Sequence, residues 1–535
     1  MISRFLGRRW KLSAPRFSVD ATKGIKVPAR DGIELLADLY RPRELSVAPA
    51  VLIRTPYARG GLMAALGHIF AERGYAAIIQ NSRGVFGSGG KFTPFFNEGN
   101  DGVDAAEWIE AQSWYSGKLG LYGASYGGQL QWAVAAQLGS RLSAMAVMNS
   151  ASNFPRMMFD GGGFRLEDFF KWASMMSQQE RKSIPLAALK ERIFGDPLAK
   201  KYSLLPLKTI DELSQGEKID YWREWVAHAE AKDPFWNPIQ LDQALKSVHA
   251  PVTMVTGWSD LFIKYQLQDF ELLRANDKVS RITVGDWTHT AFGGMAAGVR
   301  DCLDWFGIHL QGEERGPEAM SRVSLWLNGA SEWRDCDCWP PVRDVPLQLS
   351  LAADMSLKPG PSTPLSTSFV YDPSNPTPSL EGPKLLARSG REDVSSLLAR
   401  SDLLVFDSAP CPSDVEIVGE MSLTLSTAAD SAYHDLFVVL CDVDEKQRCI
   451  NITDGYQRQP RGPGDGSTRE STISMQPCFW RVKAGHRLRL LVCGGAFPRY
   501  ARNLGIDGPL QDQVDSRKVE ITVRAGVLTL HRSEK

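Results

Sequence analysis

The sequence predicts an α/β domain on a mostly parallel sheet, interrupted by a helical insertion and followed by an all-β domain. Three observations carry this expectation. Strand-like apolar runs alternate with helical stretches up to about residue 150, and again from about 250 to 310, the pattern of βαβ units. Residues 151 to about 240 hold mainly helical periodicity. From about residue 320 the helical period disappears, and short apolar runs recur between prolines and glycines, as in sandwiches and jelly rolls.

In chain order, Ile25–Val27 and Ile33–Tyr40 flank the turn signal Arg30-Asp31-Gly32 and predict a hairpin. Ala48–Arg54 reads as a buried strand ending at Thr55-Pro56-Tyr57, followed by a helix over Met63–Arg73 that Gly74 stops. A strand over Tyr75–Gln80 leads into the glycine-rich loop Ser82–Gly90, and Asp101 is expected to cap a helix over Gly102–Ala111. Leu119–Tyr122 reads as a strand, Gln129–Leu138 as a helix and Ala144–Met148 as the next strand. Open parallel sheets bind ligands at the carboxyl ends of their strands. Tyr57, the Arg83 loop and Ser125 all follow strand ends and are expected to face one crevice.

The insertion predicts helices over Leu166–Gln179 and Leu186–Phe194, and its start is crowded with Phe154, Met157, Met158, Phe159, Phe164 and Phe169. Such residues build a small helical core, and on a cap they also line an apolar substrate pocket; a cap needs both faces. Phe170 and Trp172 here, with Trp258 and Phe262 further on, are the candidate pocket residues. The sheet resumes with Ala250–Thr256, a helix over Tyr265–Ala275, a strand over Arg281–Val284 and a helix over Asp301–Leu310. Later strands are expected at Val323–Leu327, Val345–Leu351, Glu416–Val418, Met421–Leu425, Asp435–Leu440, His486–Val492 and Val519–Val523. Residues 352–412, rich in proline and serine, read as long irregular connections. The boundaries are therefore 1–149 and 241–315 for the two parts of the α/β core, 150–240 for the cap and 316–535 for the β domain.

Composition narrows the function. Sixty-one basic and 62 acidic residues leave a net charge of −1, so neither nucleic acid nor a membrane is an expected partner. Basic residues near the start are followed by no apolar run, unlike a secretory signal. No stretch approaches the roughly 20 apolar residues of a membrane span. The eight cysteines all follow residue 300, and Cys336-Asp337-Cys338 lacks the second pair or histidines of a metal site. Reduced thiols in a cytoplasmic protein, with neither metal nor cofactor, are the expectation.

Gly123-Ala124-Ser125-Tyr126-Gly127 matches G-x-S-x-G between the strand and helix predicted around it. That is the context of a nucleophile elbow, the sharp turn that exposes the serine of an α/β-hydrolase. The order there is serine, acid, histidine, and only eight histidines exist. His68, His228 and His309 lie in helical segments, His249 precedes a strand, and His434, His486 and His531 belong to the β-rich part. His289 alone follows the carboxyl end of a sheet strand, which makes it the candidate general base. Asp260, in the loop after the preceding strand, is the candidate acid, with Asp286 as rival only three residues from His289. The elbow supplies one oxyanion donor, the Tyr126 N–H. A second is usually a backbone N–H after an early strand, but Pro56 has none, and the Tyr57 hydroxyl is an alternative donor.

With these residues assembled, the sequence resembles the CocE/NonD hydrolase family, which holds esterases, α-amino-acid ester hydrolases and relatives of the X-Pro dipeptidyl-peptidases. Thr55-Pro56-Tyr57, Ser82-Arg83-Gly84 with Ser88, Asp101-Gly102 with Asp104, and Glu107-Trp108-Ile109 carry the match. So do Gly123 to Gly128, Gly257-Trp258-Ser259-Asp260 and Trp287-Thr288-His289, followed by Trp333-Arg334, Trp339-Pro340-Pro341 and Tyr371-Asp372-Pro373. The resemblance runs from about residue 20 to the end. It implies an α/β-hydrolase core with an inserted helical cap and a C-terminal all-β jelly-roll domain. It also implies Ser125, Asp260 and His289 as the catalytic triad, Tyr57 hydroxyl and Tyr126 N–H as the oxyanion hole, and an ability to form homodimers. Two positions depart from the family. Asn81 replaces the usual aspartate two positions before Arg83-Gly84, and Leu261-Phe262-Ile263-Lys264 replaces the acidic residues with which amino-ester hydrolases bind an ammonium. The expected function is hydrolysis of a small-molecule ester or amide through an acyl-enzyme, cocaine-esterase-like, with an apolar or aromatic acyl pocket. An X-Pro dipeptidyl-peptidase-like amidase or a biosynthetic acyltransferase would use the same triad.

Overall fold

The computed structural model describes residues 2–181, 195–314, 322–342, 346–361, 364–380, 382–386, 390–462 and 464–533. The helix expected over Leu186–Phe194 and the start of the strand expected at Val345 lie outside them. The chain divides into two compact units. Met1–Phe154, Trp236–Gly257 and Phe262–Ser324 form the first; Pro155–Phe235, Trp258–Leu261 and Leu325–Lys535 form the second.

The first unit is built on a mixed sheet. Its strands are β1 (Val19–Pro28), β2 (Glu34–Pro42), β3 (Ala48–Thr55), β4 (Ala76–Asn81), β5 (Tyr115–Ala124), β6 (Leu142–Met148), β7 (Val252–Ser259) and β8 (Ser280–Thr288). Their order is β1-β2-β4-β3-β5-β6-β7-β8. The β1–β2 hairpin pairs antiparallel and meets β4 antiparallel, whereas β4-β3-β5-β6-β7 are parallel neighbours. Every residue of β4 is buried, and β6 is buried except at Ser143, as expected of strands covered on both faces. Phe70, Tyr122 and Phe306 pack together beneath the sheet, with centroids 5.3 Å apart for Phe70–Tyr122 and 6.3 Å for Phe70–Phe306. This is the α/β-hydrolase core that the alternating pattern predicts.

The helix expected over Asp301–Leu310 begins earlier and spans Phe292–Gln311, and two further differences near the elbow each have a local reason. The helix expected from Gly102 spans Glu98–Glu110, so Asp101 lies in its first turn and does not cap it. Its carboxylate instead receives two bonds from Arg83, Nη2 at 2.5 Å and Nε at 3.1 Å. A negative charge in the first turn also suits the helix dipole. Strand β8 runs through Trp287 and Thr288 because two glycines make room for the indole. A Cβ on Gly257 would lie 2.2 Å from the Trp287 carbonyl oxygen, and one on Gly285 only 2.5 Å from its ring. His289 therefore emerges one residue past the strand.

In the second unit, the helix Leu166–Gln178 buries Phe169, Phe170 and Trp172, with Phe170 edge-on to Trp222 at 4.9 Å. Buried polar contacts pin this segment to the β domain. Asp160 receives Gln476 Nε2 at 3.0 Å and the Tyr500 hydroxyl at 2.9 Å, and Asp168 receives the Leu385 N–H at 2.8 Å. The all-β jelly-roll domain carries one large sheet, ordered Cys449–Arg458, Asp435–Val443, Arg487–Cys493, Leu403–Ser408, Ser356–Pro359, Leu347–Leu351, Val519–Leu530, Ser422–Ala429 and Arg469–Ser474. Alternate residues such as Leu423, Leu425, Ile521 and Val523 form its core. The stretch 352–412 is not merely irregular: it holds the strands Ser356–Pro359, Thr367–Tyr371 and Leu403–Ser408. Its prolines stand at the ends of these strands or between them, where no ladder donor is lost.

His309, on the helix Phe292–Gln311, packs edge-on to Trp305 at 4.4 Å. Burial pushes its pKa down from 6.5 to about 4. The unfolded chain takes up this proton first, so His309 lowers stability as pH falls from about 6.5 towards 4 and not above that window. His309→Gln is expected to lose less melting temperature than the parent when taken from about pH 7 to about pH 4.5; thermal denaturation at the two pH values checks it.

Candidate active site

Ser125 sits between β5 and the helix Tyr126–Leu138 with φ 56° and ψ −122°. Positive φ is costly for a residue with a Cβ, on the order of 1–3 kcal/mol, so its surroundings must hold it. The Ser125 N–H donates to Met148 O at 2.9 Å, and Ser125 O accepts from Gly128 N–H at 2.9 Å and from the Ser150 hydroxyl at 2.7 Å. Two glycines are obligatory for this packing. A Cβ on Gly123 would stand 2.4 Å from Gly127 O, and one on Gly128 the same 2.4 Å from Ser150 Cβ.

His289 Nε2 lies 3.1 Å from Ser125 Oγ, within reach for a proton transfer. Asn149 Nδ2 fixes the His289 backbone by donating to its carbonyl at 2.9 Å. Asn149 directly follows β6, the sheet neighbour of β5, so adjacent strand ends hold both partners. Asp260 directly follows β7 and is fully buried, whereas Asp286 is exposed. By position in the fold, Asp260 belongs to the second unit.

The Tyr126 N–H stands at the positive end of the elbow helix. Its side chain plays a different part. The buried hydroxyl donates to Glu98 Oε1 at 2.8 Å and accepts from the Phe95 N–H at 2.8 Å. Burial and the Glu98 carboxylate push the phenol well above its ordinary value, so it stays neutral. Glu98 is paired in turn with buried Arg54 on β3, Nη2 to Oε2 at 2.8 Å, and Arg54 also donates to Glu98 O at 2.6 Å and to Gln80 Oε1 at 2.9 Å. A buried polar chain thus runs from the elbow to the strand that delivers the Thr55–Tyr57 loop.

Asn81 fixes that loop. Its Nδ2 donates to Thr55 O at 3.1 Å and to Tyr57 O at 2.6 Å, while its Oδ1 accepts from Arg59 Nη1. Arg59 is held by Asp38 at 3.2 Å. The amide orientation follows from the neighbours, since reversal would set an oxygen against two carbonyls and an NH₂ against a guanidinium. A carboxylate could not make these two donations. An aspartate at residue 81 would therefore change the hydrogen-bond sign as well as the charge.

An aromatic row runs beside these residues. Tyr126 stacks on Phe95 at 4.7 Å, Phe95 meets Phe154 at 4.8 Å, Phe154 meets Phe262 at 4.9 Å, and Phe262 lies 5.7 Å from the His289 ring. Phe262, one of the four candidate pocket residues, lies beside His289. Phe170 and Trp172 pack in the helical part of the second unit, Trp172 stacked on Trp225 at 5.8 Å. Trp258 is buried elsewhere in that unit, its indole N–H donating to Trp326 O at 2.7 Å and its ring 5.6 Å from that of Trp339. Sequence reasoning missed Glu98, Arg54, Phe95 and Asn149. Only a polar residue on an otherwise apolar strand, Arg54, stood out as a signal.

Comparison with known proteins agrees along nearly the whole chain. Residues 31–291 match the family model of the X-Pro dipeptidyl-peptidases (S15 family), and residues 316–525 match the C-terminal non-catalytic domain of the X-Pro dipeptidyl-peptidases. The chain is 28% identical over 538 residues to the cocaine esterase of Rhodococcus sp. (strain MB1 Bresler), covering 90% of this chain and 92% of that one. Its fold is similar to that of an α-amino acid ester hydrolase, with TM-score 0.80 at 19% identity over 97% of this chain and 98% of the other. It is similar also to a CocE/NonD family hydrolase from Staphylococcus aureus, with TM-score 0.70 at 16% identity over 96% and 93% of the two chains.

Removing one member of the Arg54–Glu98 pair strands a buried charge. Glu98→Ala is expected to lower unfolding free energy by about 3–5 kcal/mol, measured by urea denaturation, whereas Glu107→Ala, on the exposed face of the same helix, is expected to stay within about 0.5 kcal/mol of the parent.

Proposed function

Because the chain belongs to the CocE/NonD family of serine hydrolases, with an S15 catalytic domain and an X-Pro dipeptidyl-peptidase C-terminal domain, we propose that it cleaves acyl esters through Ser125, His289 and Asp260. The observation that carries the reading is the strained elbow with Ser125 Oγ 3.1 Å from His289 Nε2. His289 accepts the Ser125 proton as the oxygen attacks the acyl carbon, and returns it to the departing alcohol. Nε2 can accept only if Nδ1 carries the hydrogen. Asp260 is the acid assigned to hold that tautomer and to stabilise the imidazolium, without taking the proton itself. The tetrahedral oxyanion is assigned to the Tyr126 N–H and the Tyr57 hydroxyl. Water then repeats the sequence on the acyl-enzyme.

The acyl group we assign is apolar or aromatic and carries no free amine. Phe262 offers its ring next to His289, and Phe154 and then Phe95 continue the aromatic row from it. Lys264 stands in the segment where amino-ester hydrolases carry acids, and it is buried beside Tyr265 with its ammonium 5.9 Å from the ring. A like charge there disfavours a substrate ammonium. This supports an ester of the kind named for the Rhodococcus relative over a peptide presenting its amino terminus.

Steady-state kinetics on a panel of aryl esters, amides and dipeptidyl substrates tests the assignment. Asp260→Asn is expected to lose about 10²–10⁴-fold in kcat with KM little changed, and Asp286→Asn to stay near the parent. The reverse ranking would sink the acid assignment. Asn81→Asp is expected to slow kcat at neutral pH by about 10-fold or more and to recover partly on acidification, because a protonated carboxyl can donate one of the lost bonds to the Tyr57 loop. A flat ratio to the parent across pH contradicts that role.

A further inference from the structure

The helix Ile2–Arg9 presents its side chains in an unusual order. Its inward face consists of Ser3, Gly7, the partly buried Leu6 and, one residue beyond the helix, Trp10. The Ser3 hydroxyl donates to Glu72 Oε1 at 2.8 Å, and a Cβ on Gly7 would stand 3.5 Å from Arg73 Nη2. Small residues thus permit close approach, while Ile2 and Phe5 point outward at 62% and 66% exposure. Surface helices ordinarily bury such residues and expose the small ones.

The exposed apolar residues stand among cations. Arg4, Arg8, Arg9 and Lys11 are all exposed, and no acidic residue occurs before Asp20. The near-neutral total charge averages over this cluster and hides it. Phe292, 43% exposed, extends the apolar part, with the Arg9 guanidinium 5.1 Å from its ring and Trp10 at 5.9 Å. The segment is anchored, because Arg300 Nη1 donates to Trp10 O at 2.9 Å and Arg73 donates through Nη2 to Ser13 O and through Nε to Ser13 Oγ at 3.2 Å.

We propose that this face docks the protein on an anionic lipid surface. Bulky apolar side chains ringed by arginine, on a helix that keeps its place, are the features of an interfacial helix: the rings enter the headgroup boundary while the guanidinium groups meet lipid phosphates. A nucleic acid would use the cations and leave Ile2 and Phe5 without a role. The association is peripheral, since no helix among the described residues is long and apolar enough to cross a membrane. With one short helix it is also reversible and weakened by salt. Phe292 follows His289 by three residues, so the docked face lies close in the chain to the general base assigned above.

Co-sedimentation of the full chain with vesicles tests the proposal. Binding to phosphatidylglycerol vesicles is expected to exceed binding to phosphatidylcholine vesicles at least tenfold at about 25 mM salt, and to fall steeply by about 500 mM. Arg4→Glu with Arg8→Glu should abolish it, and Phe5→Ser should weaken it at every salt concentration. Hydrolysis of a soluble ester should be unchanged in these variants, which shows that they fold. Equal binding to both vesicles, binding to neither, or a dimer that Phe5→Ser dissociates while vesicle binding is absent, each overturns it.

Discussion

The structure depends on the close crossing of strand and helix at Ser125. A non-glycine residue with φ 56° is tolerated only where its neighbours leave it no alternative. Here the Ser125 N–H and O are both taken by backbone or hydroxyl partners, and Gly123 and Gly128 bring the flanking chains within a distance no side chain could occupy. The strain lifts the hydroxyl out of the sheet, and the same parallel packing that buries β4 and β6 supplies the rigid base. Fold and chemistry meet in one turn.

The surroundings of the elbow are organised by polar groups that have little to do with the surface. Tyr126, Glu98 and Arg54 form a buried chain joined by a hydrogen bond and an ion pair, so each rigidifies the next. Its cost is that none can be removed singly without leaving a charge or a donor in apolar surroundings. Asn81 does the equivalent for the Thr55–Tyr57 loop with two amide donations. Positioning here is carried by hydrogen-bond direction, and an acid at residue 81 would need a rearranged set of partners.

Much of this was legible in the sequence because the signals are local. The alternation of apolar runs with helical stretches marks β3 to β8, and glycines at fixed offsets mark the turn around Ser125. The scarcity of histidine left His289 as the one following a sheet strand, although it is 164 residues away from the serine. What was hidden depends on distance or on competition. Asp101 has the chemistry of a cap, but Arg83 from a different loop claims its carboxylate. The strands within 352–412 were obscured by prolines that in fact sit at their margins. Phe95 and Phe154 are far apart in the chain, and only the folded sheet sets their rings 4.8 Å apart.

The central claim is that Ser125 is the nucleophile and His289 its base. Its most direct test is mass-spectrometric mapping of a fluorophosphonate adduct on the folded protein. A single adduct on Ser125, formed quickly by the parent and at least about 10³-fold more slowly by His289→Ala, is the result predicted. Modification of another residue, no adduct on folded protein, or equal labelling rates with and without His289 would contradict it.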